Sequence, residues 1–273
     1  MKVRLVASDL DGTIIGEGNS ISARTIAAFQ SCAEAGIEVV FVTGRPKRWI
    51  WPLRESLGHL GTVICSNGAV VYDLGTETVI GQHVIARDAA REVLHRIRAA
   101  HPDALFAMET LDLPALYVDP GFVNTSLREQ LQLEERPVDE ALEHSSSIVK
   151  ILAKSPDSTP DEFLSHVDAL VSDLVTSTHS SPVDALVEMG PHKVDKAVTL
   201  ASFAAERGIG AEEVVAFGDM PNDIPMLCWA GRGYAVSSGH PTAISSTRYR
   251  TPPFQEDGVA QVLESLLEDV RRP

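Results

Sequence analysis

The run Val3-Arg4-Leu5-Val6-Ala7-Ser8 leads straight into Asp9-Leu10-Asp11-Gly12-Thr13, and this junction constrains the chain more than any other stretch. A short run rich in Val and Leu and closed by Gly reads as a buried strand of a parallel sheet. Carboxylates buried inside such a strand are costly unless something compensates them. Asp9 and Asp11 are therefore expected at its carboxyl end, where open α/β sheets place their ligands. Two acids at i and i+2, in a chain bending out of a strand, can share one ion and one substrate while keeping separate chemical roles.

The following residues repeat this pattern. Ser22 is placed to cap a helix running to Ala35, with Gly36 as its stop and Ile26, Phe29 and Ala33 at helical spacing. Apolar strands are expected at Ile37–Val42, ending in Thr43-Gly44-Arg45-Pro46, and at Thr62–Cys65, ending in Ser66-Asn67-Gly68. Strand alternating with helix, with polar residues and Gly at each strand end, is the doubly wound signature. Residues 70–72 and 78–80 then read as a hairpin.

The rhythm changes near Gln82. A helix from Arg87 to Ala100, short strands at 105–107, 116–118, 148–153 and 175–178, and a helix capped by Thr159-Pro160 suggest a smaller α+β domain inserted into the first. We place the core at residues 1–82 and 184–273 and the insertion at 83–183. From Leu186 the α/β rhythm is read as resuming, with a helix over 194–207 carrying Val198, Ala201 and Ala204 on one face, a strand at Val214–Phe217, a last strand at 233–236 and a closing helix from Gly258 to Arg271.

Composition narrows the partners. A formal net charge of −15, with no basic run, disfavours nucleic acid, whose binding rests on Lys and Arg neutralising phosphates. It disfavours anionic membranes too, and an anionic small substrate would need a local cation to overcome the global field. No apolar run approaches the ~20 residues that span a bilayer, and no signal-peptide pattern opens the chain. The three cysteines, Cys32, Cys65 and Cys228, stand far apart and read as isolated reduced core thiols, so a cytoplasmic protein is expected.

Beyond the core strand ends stand Asp9, Asp11, Thr43, Asn67, Asp219, Asn222 and Asp223, with Lys196 early in the helix before the strand at 214–217. Converging carboxylates repel one another unless a hard cation is present, and an all-oxygen set suits Mg²⁺. A hydroxyl, an amide and an ammonium beside that ion are what a phosphoryl group needs around its oxygens. Asp9, at an ordinary carboxylate pKa of about 3.9, would be an ionised nucleophile at neutral pH. An EF-hand calcium loop is excluded, because Ile14 and Ser20 stand where that loop needs Gly and Glu. Neither Gly16-x-Gly18 nor Gly231-x-Gly233 completes a dinucleotide fingerprint, and no Walker-type Gly-Lys pair exists. His179, Lys150, Trp49 and Trp51 are read first as structural and second as pocket residues, and Glu134-Glu135 with Asp139-Glu140 as a solvated face.

Asp9-Leu10-Asp11-Gly12-Thr13, Thr43-Gly44-Arg45, Lys196 and Gly218-Asp219-x-x-Asn222-Asp223 resemble the four ordered motifs of the haloacid dehalogenase (HAD) superfamily. Ser66-Asn67-Gly68-Ala69 and the insertion between the second and third motifs resemble its Cof-like branch. The resemblance implies a Rossmann-like doubly wound core with an inserted α+β cap of type IIB. It implies Asp9 as nucleophile and Asp11 as the acid that protonates the leaving oxygen and then the base for water. Thr43, Gly44, Lys196 and Asn222 would hold the phosphoryl group, with Arg45, Asn67 and His179 as candidate substrate residues. Mg²⁺ would sit on Asp9, the Asp11 backbone carbonyl and Asp219, supported by Asp223. Ala197 follows Lys196 where the family has Gly, which leaves Lys193 as a second candidate. The expected activity is Mg²⁺-dependent hydrolysis of a small phosphorylated metabolite, a sugar phosphate or similar phosphomonoester, through an aspartyl-phosphate, by a monomer or homodimer. A sugar phosphomutase and a non-catalytic phosphosugar-binding regulator are the alternatives.

Overall fold

A computed structural model describes residues 2–50, 54–56, 58–112, 116–123, 136–179 and 184–271. The chain forms two compact units, residues 1–81 with 195–273 and residues 82–194. Trp51, Glu134 and Glu135 lie outside the described residues.

In the first unit the chain runs β1 (Leu5–Ser8), α1 (Ala23–Glu34), β2 (Glu38–Val42), β3 (Thr62–Cys65), β4 (Val70–Asp73) and β5 (Thr78–Gln82). After the insertion it continues through α5 (Lys196–Glu206), β11 (Val214–Gly218), α6 (Ile224–Trp229), β12 (Arg232–Val236), α7 (Pro241–Ser246), β13 (Tyr249–Thr251) and α8 (Gly258–Arg271). The sheet order is β13-β12-β11-β1-β2-β3-β4-β5, parallel from β13 to β3, with β4 antiparallel to β3. The inner strands β11, β1, β2 and β3 are buried almost throughout because both faces are covered, whereas the edge strand β5 alternates with solvent. Leu5, Ala7, Val40 and Ala216 pack with Leu200, Phe203 and Met226 of α5 and α6. Phe41 meets the edge of Phe29 from α1, with ring centroids 5.2 Å apart. Ser22 caps α1 as expected, its hydroxyl accepting from the Thr25 amide, and Gly36 follows the helix at φ +76°.

β1 is the central constraint. Ser8 lies in register with Phe217 of β11 and Phe41 of β2, so the three strands end at one level. Each then releases its polar residues at the same edge.

The second unit comprises α2 (Arg87–Ala100), β6 (Leu105–Thr110), β7 (Leu116–Val118), α3 (Val138–His144), β8 (Ile148–Lys154), α4 (Pro160–Val171), β9 (Val175–Thr178) and β10 (Leu186–Pro191). Its antiparallel sheet has the order β7-β6-β8-β10-β9. Val93 and Ile97 of α2, Ala141 of α3 and Phe163 and Val167 of α4 form one core with Phe106, Met108, Ile151 and Met189 of the strands. Thr159 and Glu162 make a reciprocal capping box at the start of α4.

Several expectations need correcting. The second boundary falls at residues 194/195 rather than 183/184, because Leu186–Pro191 pairs with β8 and β9 inside the inserted sheet. A short apolar run shows that a strand is buried but not which sheet takes it. The helix after the insertion starts at Lys196 with Asp195 as its cap, and its buried face is Ala197, Leu200, Phe203 and Ala204, leaving Val198 exposed. Asp139 is solvated as expected; with Glu140 it opens a helix, α3, whose Val138, Ala141 and Leu142 are buried. β13, not β12, is the sheet's last strand. Cys32 and Cys65 are buried free thiols, whereas Cys228 is exposed. Burial pushes the Cys32 thiol up to about 11. Trp49 is 46% exposed, with the Arg48 guanidinium 4.6 Å from its ring centroid, so it belongs to no core. Among the described residues no helix is long and apolar enough to cross a membrane.

Phe29→Ala would remove the fully buried ring that wedges α1 against β2. A loss of about 3–5 kcal/mol is expected, read as a lowered midpoint in thermal or urea denaturation.

Candidate active site

Just past Ser8 the Asp9 amide donates to the Phe217 carbonyl (2.9 Å), the last rung between β1 and β11. The chain then turns tightly, with the Ile14 and Ile15 amides donating to the Leu10 carbonyl at 2.9 and 2.8 Å. Gly12 takes φ +78°, and a Cβ there would lie 2.3 Å from Asp219 Oδ2. Only glycine supplies both that backbone angle and that close approach.

Asp9, Asp219 and Asp223 bring carboxylate oxygens within 4.8 Å of one another, and all three residues are buried. Lys196, 1% exposed at the first turn of α5, donates from Nζ to Asp9 Oδ1 (2.5 Å) and to Asp223 Oδ1 (2.6 Å). Asp223 Oδ2 accepts the backbone amides of Asp219 (2.9 Å) and Met220 (3.0 Å), so both of its oxygens are occupied. The Thr13 hydroxyl donates to Asp219 Oδ1 at 3.0 Å. Asp9 Oδ2 and Asp219 Oδ2 receive no donor among the described residues. Lys193 is exposed and belongs to the second unit. Lys196 is thus the lysine of the cluster despite the Ala that follows it.

The other strand ends supply a second group. Thr43 is fully buried after β2, its Oγ1 accepting the Arg45 amide (3.0 Å) and its carbonyl accepting the Asn67 amide (3.0 Å). Gly44 completes the turn between them. Ser66 and Asn67 both adopt the left-handed region, at φ +51° and +54°. Asn222 Nδ2 donates to Asn67 Oδ1 at 3.1 Å. Asn222 Oδ1 and Ser66 Oγ are buried with no hydrogen-bond partner. Arg45 extends to Asp11, Nε donating to Oδ2 at 2.7 Å and Nη2 to Oδ1, and Nη2 also reaches Asn19 Oδ1 at 2.7 Å.

Two candidates from the insertion have partners in their own unit. His179 is buried, with Nε2 2.9 Å from Asp161 Oδ1, and Lys150 donates to Glu188 in the buried sheet. Thr13, Ser66 and Asn19 were not singled out from sequence. Thr13 closes the Asp-x-Asp-Gly-Thr run and Ser66 follows a strand end directly, so each carried a positional signal; nothing local marks Asn19.

The electrostatics are unbalanced. Burial pushes the Asp9 carboxyl well above the ordinary range, with the Lys196 ammonium opposing and Asp223 and Asp219 reinforcing the rise. Sequence alone had it at an ordinary value. Burial and then Asp223 raise Asp219 to about 7. Burial works against the Lys196 charge, yet Asp223 and Asp9 overcome it and raise its pKa. One ammonium faces three carboxylates, a deficit of two positive charges when all are ionised. A divalent hard cation held by the Asp9 and Asp219 carboxylates fits that deficit and that all-oxygen donor set. A carboxylate so placed can ligate an ion or attack an electrophile.

The family model of haloacid dehalogenase-like hydrolases matches residues 6–263. The chain belongs to this family of enzymes. It is 27% identical to the pyridoxal phosphate phosphatase YbhA of Escherichia coli strain K12, over 98% of this chain and 100% of that protein. It is 26% identical to the 5-amino-6-(5-phospho-D-ribitylamino)uracil phosphatase YitU of Bacillus subtilis strain 168, over 96% and 97% of the two chains. The fold matches that of the HAD subclass IIB sugar phosphatase BT4131, with a TM-score of 0.78 at 20% identity over 96% of this chain and 98% of that one.

The raised Asp219 sets a stability expectation. Between about pH 4 and 7 the folded protein holds a proton that the unfolded chain releases, so in chelator this group's contribution to stability falls as pH rises through that window. Asp219→Asn removes the buried charge and keeps an acceptor for Thr13. In EDTA it is expected to raise Tm at pH 8, by up to about 4 kcal/mol of stability, and to change it little near pH 4.5.

Proposed function

We propose that this enzyme is a Mg²⁺-dependent phosphatase that hydrolyses a small phosphorylated metabolite, a sugar phosphate or similar phosphomonoester, through an aspartyl-phosphate on Asp9. The observation that carries the reading is the Asp9–Lys196–Asp223 bridge beside Asp219, an oriented strand-end carboxylate with one oxygen held by a buried ammonium and the other without a donor.

In this reading Asp9 Oδ2 attacks phosphorus. Lys196 holds Oδ1, fixing the carboxylate plane before substrate arrives. Asp223 keeps Lys196 in place and is itself fixed by two backbone amides. Thr43, Gly44 and Asn222 hold the phosphoryl oxygens, and the unpartnered Ser66 Oγ and the Asn222 amide suit a polar ligand at that edge. Asp11, 55% exposed at its side chain, gives a proton to the leaving alkoxide and takes one from the water that follows. Asp9 and Asp219 would hold Mg²⁺, with the Asp11 carbonyl added by family resemblance and Asp223 as support. When bound, that ion supplies Lewis-acid neutralisation of phosphoryl charge. The relatives' printed substrates, pyridoxal phosphate and the phosphoribitylamino-uracil, are the first compounds to try.

Phosphate release from a panel of phosphorylated metabolites is expected with Mg²⁺ and not with EDTA, without a bisphosphate activator. Transfer back to a sugar instead would mark a mutase. Asp9→Asn is expected to abolish turnover, and wild-type activity in that variant would sink the mechanism. Lys196→Met is expected to lower kcat by at least about a hundredfold, through lost orientation and charge. In a separate binding readout, Mg²⁺ should raise the Tm of the wild type at pH 8 and leave that of Asp219→Asn nearly unmoved.

A further inference from the structure

The two acids of Asp9-Leu10-Asp11 have separate cationic partners. Asp9 shares Lys196 with Asp223 in the buried cluster, and Asp11 has Arg45. We infer that Arg45 is a positioning residue for Asp11, holding its carboxylate ready to accept a proton in the second half of the reaction rather than binding substrate. This rests on the phosphatase reading above.

The geometry is specific. Arg45 places Nε and Nη2 on the two oxygens of one carboxylate, the fork arrangement that fixes a carboxylate plane as a lysine's point charge cannot. The side chain is only 13% exposed, whereas that of Asp11 is 55% exposed and would otherwise sample several rotamers. Arg45 is itself fixed, with its amide on Thr43 Oγ1, its carbonyl accepting from the Ser66 amide (3.0 Å), and Nη2 on Asn19 Oδ1. It therefore ties the loop after β2 to the loop after β1.

The chemistry favours one half-reaction. In the first half, the Asp9 carboxylate bonds to phosphorus, the ester P–O bond breaks toward the leaving oxygen, and protonated Asp11 gives that oxygen its proton. Asp11 is then ionised. In the second half, a water oxygen bonds to phosphorus and one water proton passes to Asp11. The P–O bond to Asp9 breaks with its electron pair returning to the Asp9 carboxylate, which yields hydrogen phosphate and restores protonated Asp11. With one donor on each oxygen, the Asp11 carboxylate keeps further lone pairs, in a fixed plane, for a water proton. The Arg45–Asp11 fork thus suits the acceptor role of the second half.

Step-resolved kinetics with p-nitrophenyl phosphate and Mg²⁺ test this, because nitrophenolate leaves without a proton and isolates the second half. Arg45→Met is expected to release the first equivalent of nitrophenolate at near the wild-type rate, while steady-state kcat falls at least about tenfold, so that a burst appears or deepens. Arg45→Lys, which keeps charge without the fork, should fall between the two and serves if Arg45→Met does not fold by circular dichroism. An unchanged kcat, an equal fall in both phases, or a rise in KM alone overturns the assignment. If the wild type shows no turnover that depends on Asp9, the phosphatase reading fails instead.

Discussion

Lys196 Nζ lies between Asp9 and Asp223, and the site depends on that one ammonium. Buried charge is tolerated only when paired and hydrogen-bonded, and removing one partner of such a group costs more than the pair is worth. Asp223 meets the condition in full, with a lysine on one oxygen and two amides on the other. Asp9 and Asp219 meet it by half. The cluster is therefore rigid on its Asp223 side and electrostatically unsatisfied on the side where Asp9 presents its open oxygen. That asymmetry is built from ordinary parts: a helix start, a strand end and a tight turn.

The sheet makes the asymmetry reproducible. β1, β2 and β11 are in register and end together, so a side chain one residue past each strand has little freedom in where it stands. Gly12 allows the first turn to press against Asp219, and Gly218, where a Cβ would come 2.5 Å from that of Asp223, allows the end of β11 to press against Asp223. Placing the groups on rigid strand ends is what pre-organises a site of this kind.

Much of this was legible in the chain. Strands such as Leu5–Ser8 and Val214–Gly218 are buried throughout because both their faces are covered, and polar residues follow them at one edge of the sheet. Lys196 was legible through its place in an ordered set of motifs, although the helix face read around it was wrong. Val198 is apolar yet exposed, while Thr199 is buried because its hydroxyl donates to the Gly68 carbonyl at 2.8 Å. Leu186–Pro191 has the composition of a core strand, and only pairing decides its sheet. The ionisation of Asp9 could not be read at all, since an aspartate's pKa depends on burial and neighbours that lie 187 or more residues away along the chain.

That separation has a consequence for how the enzyme comes into being. β1 is an inner strand of its sheet, yet one of its two neighbours, β11, is synthesised only after the whole inserted unit. Contacts so distant in sequence form late, because the entropy of closing the intervening loop must be met before they return anything. While the chain is still being made, Asp9 and Asp11 stand at the end of a strand with one edge open and no lysine nearby. The inserted unit, with its own core and its own sheet, is synthesised before Asp9 and Lys196 can meet.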